Sequence, residues 1–280
     1  MAPYLDPVNQ AFVDALAEAG GPALYELPYE KARAVLEGLQ QHDKSKDVLR
    51  EEVVAAGGPG GSVKTVLFKP ANVSGPVPLA FYFHGGGWIL GSLVSDLVRQ
   101  TGSAFAFPYY TPAPEAQFPQ QFDEAYAAVE YFVKEGEKYG LKTDKIAFAG
   151  DSAGDTLNQS ETYETFHDGP YLGVPLLQWM VNAFVPKSND RSNILASPIS
   201  MKKDQAATQP PTLIITAAVD PLLAEGKHLG HLLQQAGVDV AIFEADGQVH
   251  DFVMLEPVRK SAAAVASVEL ASLKIKKALS

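Results

Sequence analysis

A serine flanked by glycines is the part of this sequence best suited to chemistry. The segment Gly150-Asp151-Ser152-Ala153-Gly154 has the pattern G-x-S-x-G and directly follows the apolar run 145–149. A buried strand that enters such a segment can turn so sharply that the serine Oγ projects above the sheet, because the flanking residues are small. A chain of this length contains the pattern by chance about one time in ten. The pattern alone therefore does not exclude an ordinary glycine-rich turn.

Two further residues fit the needs of a serine nucleophile. Such a serine requires a general base, and the base requires a carboxylate that orients it. Asp220 follows the apolar run 212–216, and His250 follows the predicted strand 238–243. The chain order of nucleophile, acid and histidine, each at the carboxyl end of a strand, is that of the α/β-hydrolase fold. The sequence therefore predicts Ser152, Asp220 and His250 as catalytic residues.

A second glycine-rich segment could supply an oxyanion hole. His84-Gly85-Gly86-Gly87 follows the predicted buried strand 78–83. One oxyanion donor is the N–H of the residue after the nucleophile, and the other comes from a loop in this position. Glycine lets the backbone approach the oxyanion without a Cβ in the way. A His-Gly-Gly-Gly run arises by chance in about one such chain in several hundred.

These segments together resemble the hormone-sensitive-lipase-like carboxylesterases over essentially the whole chain; the matching stretches are 84–88, 110–115, 150–154, 220–221 and 250–252. The resemblance implies an α/β-hydrolase fold, with a mostly parallel central sheet, helices on both faces and a helical cap. It implies Ser152 as nucleophile, His250 as general base and acid, and Asp220 as the residue that orients the imidazole. The backbone N–H groups of Gly86, Gly87 and Ala153 would form the oxyanion hole, and His84 would brace the glycine loop.

The predicted elements divide the chain into cap and core. Two helices within 7–41, separated at Gly20-Gly21-Pro22, form an N-terminal cap over residues 1–46. The catalytic core covers 47–154 and 193–280, and a cap excursion covers 155–192. The core begins with a hairpin of strands 51–56 and 62–68 and ends with a helix over 257–277. Alternating apolar strands and helices favour a parallel sheet covered on both faces.

The sequence departs from the family pattern after Gly154. The family continues with a buried helix and a further strand, whereas this chain continues with the polar stretch 155–162. One helix and one strand are therefore missing, and a smaller gap is expected near Ser92. Either the protein lacks these elements, or the numbered sequence omits residues here. We favour the second explanation, because a deletion within the sheet would leave apolar faces exposed.

Composition limits the classes of function. The 280 residues carry a net charge of −11 at a pI of about 5.0, which argues against nucleic acid and anionic membranes as partners. No cysteine is present, so disulfides and thiolate chemistry are excluded. We expect a cytoplasmic protein with no signal peptide or membrane span, acting on a small-molecule ester without cofactor or metal. A homodimer is compatible with the sequence.

Other polar and aromatic residues have simpler interpretations. Asp246 and Asp251 lie near His250 in sequence, but a loop or solvent role is favoured because adjacent residues rarely face each other. His228 and His231 could bind a metal, but a solvated helix face is favoured. Asp151 is expected to support the turn. Trp88, Phe252 and Tyr82, together with the stretch 171–184, could line an acyl pocket or belong to the core.

The predicted function is a serine carboxylesterase that hydrolyses short- to medium-chain acyl esters through an acyl-enzyme. The alternatives are an amide or lactone hydrolase and a non-catalytic or degenerate binding protein on the same fold. The same set of residues serves all acyl transfers, so the sequence does not distinguish an amide or lactone hydrolase from an esterase.

Overall fold

The computed structural model describes residues 3–40, 45–85, 92–152 and 160–280. The chain forms two compact units. The two-stranded unit comprises Met1–Val35 and Gly154–Ser267, and the five-stranded unit comprises Leu36–Ala153 and Val268–Ser280. None of the helices in the described ranges has the length and apolarity to cross a membrane.

The five-stranded unit contains a mixed sheet. Its strands are β1 (Val48–Ala56), β2 (Ser62–Pro70), β3 (Val77–Phe83), β4 (Ala104–Pro108) and β5 (Leu141–Gly150), in the spatial order β1-β2-β4-β3-β5. The predicted hairpin is present as the antiparallel pair β1–β2, and β2 is also antiparallel to β4. Strand β3 runs parallel to both β4 and β5. The loops that carry the predicted site therefore follow parallel strands.

Helices cover both faces of this sheet, as the sequence predicts. They are α3 (Ser92–Thr101) and α4 (Gln120–Glu135), the latter continued by a 3-10 helix over Gly136–Tyr139. Leu79 and Phe81 of β3 share a buried cluster with Phe132 of α4. Ala80 between them points to the other face because side chains alternate along a strand, and it too is fully buried. The apolar run of β3 is thus explained by burial on two sides.

The two-stranded unit contains a parallel pair. Strand β6 (Thr212–Val219) pairs with β7 (Val240–Val249), with Thr212 opposite Val240. Helix α8 (Leu223–Gln235) packs on both strands. It approaches closely at Gly230, where a Cβ would lie 2.6 Å from Ile242 Cδ1. The chain after α8 turns at Gly237, which has a φ of 91° in the left-handed region that favours glycine.

The remaining helices include those expected in the cap; they are α1 (Pro7–Ala19), α2 (Tyr29–Gly38), α5 (Glu161–Thr165), α6 (Val174–Phe184), α7 (Lys203–Ala206) and α9 (Ala262–Leu279). Phe12 of α1 contacts Tyr171, with ring centroids 5.4 Å apart. Tyr29 stacks on Trp179 of α6 at 4.3 Å. The N-terminal helices therefore pack against the segment that contains α6.

The last helix begins later than predicted. It starts at Ala262 rather than at Pro257. The Ala264 N–H donates to Ser261 Oγ at 3.2 Å, so Ser261 acts as the N-cap, and the preceding residues form turns. The prediction was wrong here because Pro257 was also compatible with a first helical position.

No strand lies between Gly150 and Thr212 in the described residues, where only helical segments and loops occur. This agrees with the expectation that the sequence lacks a strand which the family has after the G-x-S-x-G segment. Within those residues β5 pairs with β3 alone, and the side chain of Phe148 on β5 is 52% exposed. The Gly154–Asp155 junction, where consecutive Cα atoms would test for omitted residues, lies outside the described residues, as do residues 86–91 before α3.

Candidate active site

An aspartate and a histidine are paired in the two-stranded unit. Asp220 directly follows β6 and His250 directly follows β7, and because the strands are parallel their carboxyl ends meet at one edge. Asp220 Oδ2 lies 2.7 Å from His250 Nδ1. The two side chains are 9% and 8% exposed, respectively. This hydrogen bond places the ring proton on Nδ1 and leaves Nε2 as the basic nitrogen.

The second oxygen of Asp220 is also held. Its Oδ1 accepts the backbone N–H of Leu222 at 2.9 Å, just before α8 begins. Both carboxylate oxygens therefore have donors, and the orientation of the group is fixed from two directions. A carboxylate held in this way orients the imidazole ring and stabilises the imidazolium form.

A second carboxylate contacts the same ring. Asp251 Oδ1 lies 3.4 Å from His250 Nε2, and the Asp251 side chain is 17% exposed. Burial raises the pKa of Asp251, and the neighbouring Asp220 raises it further, while His250 lowers it. Asp251 lies in the turn after β7, in agreement with the predicted loop position, but the expectation that it would not face its neighbour His250 was wrong. Asp246 is exposed on β7.

A buried polar network lies immediately before His250. Asn9 Oδ1 accepts the backbone N–H of Val249 at 3.1 Å, and Asn9 Nδ2 donates to Gln248 Oε1 at 2.9 Å. Ser261 Oγ donates to the same oxygen at 2.9 Å. Asn9, Gln248 and Val249 are fully buried. Helix α1 is therefore tied to the end of β7 by buried hydrogen bonds, and these hold the strand that precedes the histidine.

Ser152 belongs to the five-stranded unit and follows β5. Its φ is 53°, which places a residue with a side chain in the left-handed region. Gly150 lies against β3, where a Cβ would be 2.6 Å from the Phe83 carbonyl oxygen. The turn after β5 is therefore sharp and strained, and it requires glycine at its start. These are the backbone properties expected of a nucleophile elbow.

Asp151 joins the elbow to the glycine loop. Its Oδ2 accepts the Gly85 backbone N–H at 3.0 Å, and its Oδ1 accepts the Tyr82 hydroxyl at 2.8 Å. A Cβ on Gly85 would lie 2.5 Å from the Cβ of Ser152. Asp151 thus supports the turn as predicted, and Gly85 permits a close approach that any larger residue would block. The buried side chain of Tyr82 packs in the core.

His84 is buried beside this loop. Its ring stacks on Tyr110 at 4.2 Å and on Phe107 at 5.0 Å, and its Nδ1 lies 2.9 Å from the Gly85 carbonyl oxygen. Burial lowers the pKa of His84 to about 4, so the ring is neutral at pH 7. The Tyr110 hydroxyl donates to the His84 carbonyl oxygen. These contacts fit a bracing role rather than proton transfer.

Several predicted site residues lie outside the described residues, namely Gly86, Gly87, Trp88 and Ala153. Phe252 is described and buried. His228 and His231 are exposed on α8, in agreement with a solvated face. No group of three or more His, Cys, Asp or Glu residues suited to a metal occurs in the described part of the chain.

Comparison with known proteins identifies the family. A family model described as the alpha/beta hydrolase fold matches residues 80–160 and 155–254. This chain belongs to that family, as one of its hormone-sensitive-lipase-like carboxylic ester hydrolases.

Full-length relatives agree with this assignment. An esterase of Gibberella moniliformis is 36% identical, with 98% of this chain and 97% of the relative covered. An esterase of Fusarium pseudograminearum is 32% identical, with 98% and 95% covered. Among solved structures, a thermostable esterase from Pseudomonas putida superposes with a TM-score of 0.95 at 29% identity, covering 100% of this chain and 99% of that one.

The comparisons also bear on the gap after the elbow. The family match is split in two at residues 155–160, where the sequence departs from the family pattern. The alignment with the Gibberella esterase runs over 311 positions, more than the 280 residues of this chain. The relatives therefore contain residues that this sequence lacks.

Proposed function

We propose that this protein hydrolyses carboxylic esters through Ser152, His250 and Asp220 and a covalent acyl-enzyme. The observation that carries the proposal is the buried 2.7 Å hydrogen bond between Asp220 and His250 at the carboxyl ends of two parallel strands. It is supported by the strained backbone of Ser152 within the G-x-S-x-G segment. A serine, a base and an orienting acid are the parts that acyl transfer requires.

In the first step His250 Nε2 takes the proton of the Ser152 hydroxyl as its Oγ attacks the acyl carbonyl carbon. The carbonyl π bond breaks and its electrons form an oxyanion, which the N–H groups of Gly86, Gly87 and Ala153 would stabilise. Asp220 stabilises the positive charge on the imidazolium through Nδ1. The oxyanion then collapses, and the alcohol leaves with the proton from Nε2.

In the second step water replaces the alcohol. His250 Nε2 accepts a proton from water, the resulting hydroxide oxygen bonds to the acyl carbon, and the ester bond to Ser152 breaks. The proton on Nε2 returns to Ser152 Oγ and the carboxylic acid is released. This sequence of steps uses no cofactor or metal.

The substrates we propose are short- to medium-chain acyl esters. An acetyl esterase of Salmonella schwarzengrund is 39% identical over 105 residues, which cover 35% of this chain and 32% of that protein.

The experiment is a panel of p-nitrophenyl esters from acetate to palmitate, with matched p-nitroanilides. We expect the highest kcat/KM among the shorter esters and no turnover of the anilides. Ser152→Ala should abolish turnover of every ester while the fold, measured by circular dichroism, is retained. Full activity of Ser152→Ala would refute the proposal, and an inactive wild-type protein would favour a binding role.

A further inference from the structure

Asp251 has no role in the proposed triad, yet it touches the reacting nitrogen. Its Oδ1 lies 3.4 Å from His250 Nε2, the atom through which the histidine would accept the serine proton. Asp220 occupies the other nitrogen of the same ring at 2.7 Å. The imidazole of His250 therefore has a carboxylate at each nitrogen.

The backbone holds Asp251 in this position. Its φ is 59°, in the left-handed region that non-glycine residues seldom occupy, although Asp and Asn tolerate it better than most. Its carbonyl oxygen accepts the N–H groups of Met254 at 2.8 Å and Leu255 at 3.2 Å, which closes the turn after β7. This turn brings the side chain back against the ring that precedes it.

The described groups around Asp251 determine which charges its carboxyl group interacts with. Burial raises the pKa of Asp251, and of the charged groups acting on it within the described residues, His250 lowers the pKa and Asp220 raises it. Tyr171 also faces Asp251, but burial and the carboxyl raise the pKa of its hydroxyl, so Tyr171 stays neutral. Among the described groups that act on Asp251, the imidazole is then the one that can carry a positive charge, with 3.4 Å between Oδ1 and Nε2.

We propose that Asp251 is a second carboxylate acting on His250 and that it sets the pH range in which the histidine is free to act as a base. This inference rests on the proposed function of His250. While Nε2 carries a proton, His250 cannot accept the proton of Ser152. Burial disfavours the Asp251 charge by itself, but the imidazolium form of His250 lowers the pKa of Asp251 and favours that charge. The ionised carboxylate in turn stabilises the imidazolium, so Asp251 moves the acidic limb of the activity profile to higher pH.

The test is the pH dependence of kcat/KM in Asp251→Asn. Asn keeps the size and tolerates the left-handed backbone, but it removes the negative charge. The acidic limb should move to lower pH by about one unit. Asp246→Asn, a matched loss of an exposed carboxylate on β7, should leave the limb in place.

Two results would overturn the proposal. One is an acidic limb in Asp251→Asn that coincides with that of wild type, and the other is a limb shifted to higher pH. Should Asp251→Asn fail to fold, Asp251→Gly relieves the left-handed strain and removes the same charge, and the same shift is required of it. Ser152→Ala separates the two proposals. If Ser152→Ala is inactive and the acidic limb of Asp251→Asn coincides with that of wild type, the proposed function stands and only the role of Asp251 fails.

Discussion

Replacement of Asp220 by Asn tests the paired acid and histidine most stringently. Asp220 accepts two hydrogen bonds, from His250 Nδ1 at 2.7 Å and from the Leu222 N–H at 2.9 Å. Asn offers one oxygen and one NH₂ group in the same space. If the oxygen stays on Leu222, the NH₂ group faces Nδ1 and the ring proton must move to Nε2. His250 then presents a donor, rather than a base, to the serine.

The magnitude follows from the two contacts. The opposite amide orientation leaves the Leu222 N–H without an acceptor, which costs about 1–3 kcal/mol, so the wrong tautomer is favoured by that amount. Loss of the charged hydrogen bond to the imidazolium removes about 1.5–3 kcal/mol more from the transition state. Together these raise the barrier by about 3–6 kcal/mol, so kcat should fall about 10²- to 10⁴-fold.

The assay is steady-state hydrolysis of p-nitrophenyl butyrate, with circular dichroism to confirm folding. We expect KM to change little, because Asp220 acts through the histidine and not on the ground-state ester. Asp239→Asn, which alters an exposed carboxylate just before β7, is the matched control and should retain wild-type kcat. A loss in Asp220→Asn of less than tenfold would contradict the tautomer argument.

Two further predictions concern the supports of the site. Asn9→Ala should lower the free energy of unfolding by about 2–4 kcal/mol, because it leaves buried polar groups of β7 unpaired. Urea denaturation measures this change, and Gln10→Ala on the exposed side of α1 is the control. An unchanged denaturation midpoint in Asn9→Ala would contradict the role of the network. Gly85→Ala should reduce kcat/KM at least 100-fold, since its Cβ would meet the Ser152 Cβ at 2.5 Å. Gly60→Ala, at an open turn position, should be neutral in the same assay, and wild-type activity of Gly85→Ala would refute the close approach.

Much of the fold was predictable because the strands are apolar and bounded by turn residues. The run 78–83 was predicted as a buried strand and forms most of β3. The pairing of Asp220 with His250 followed from topology, since the carboxyl ends of parallel strands share one edge. Motif order and strand position sufficed for these features.

The contacts around the histidine were not predictable in the same way. Asn9 and Gln248 are 239 residues apart in sequence, and no local pattern marks either as a partner of the other. The position of Asp251 depends on a left-handed turn, whereas an extended chain would have pointed the side chain away from His250. Gln248 also lies beyond the predicted strand 238–243, in a part of β7 that contains the charged residues Glu244 and Asp246, so the sequence did not mark it as buried.

The most direct test of the account is covalent labelling of the nucleophile. The protein is treated with diethyl p-nitrophenyl phosphate, which phosphorylates activated serines, and the modified peptide is located by mass spectrometry. The proposed mechanism predicts stoichiometric modification of Ser152 with parallel loss of esterase activity, and no modification of Ser152 in His250→Ala, which should be inactive from the start. Full loss of activity with the label on another residue, or full activity after complete labelling of Ser152, would contradict it.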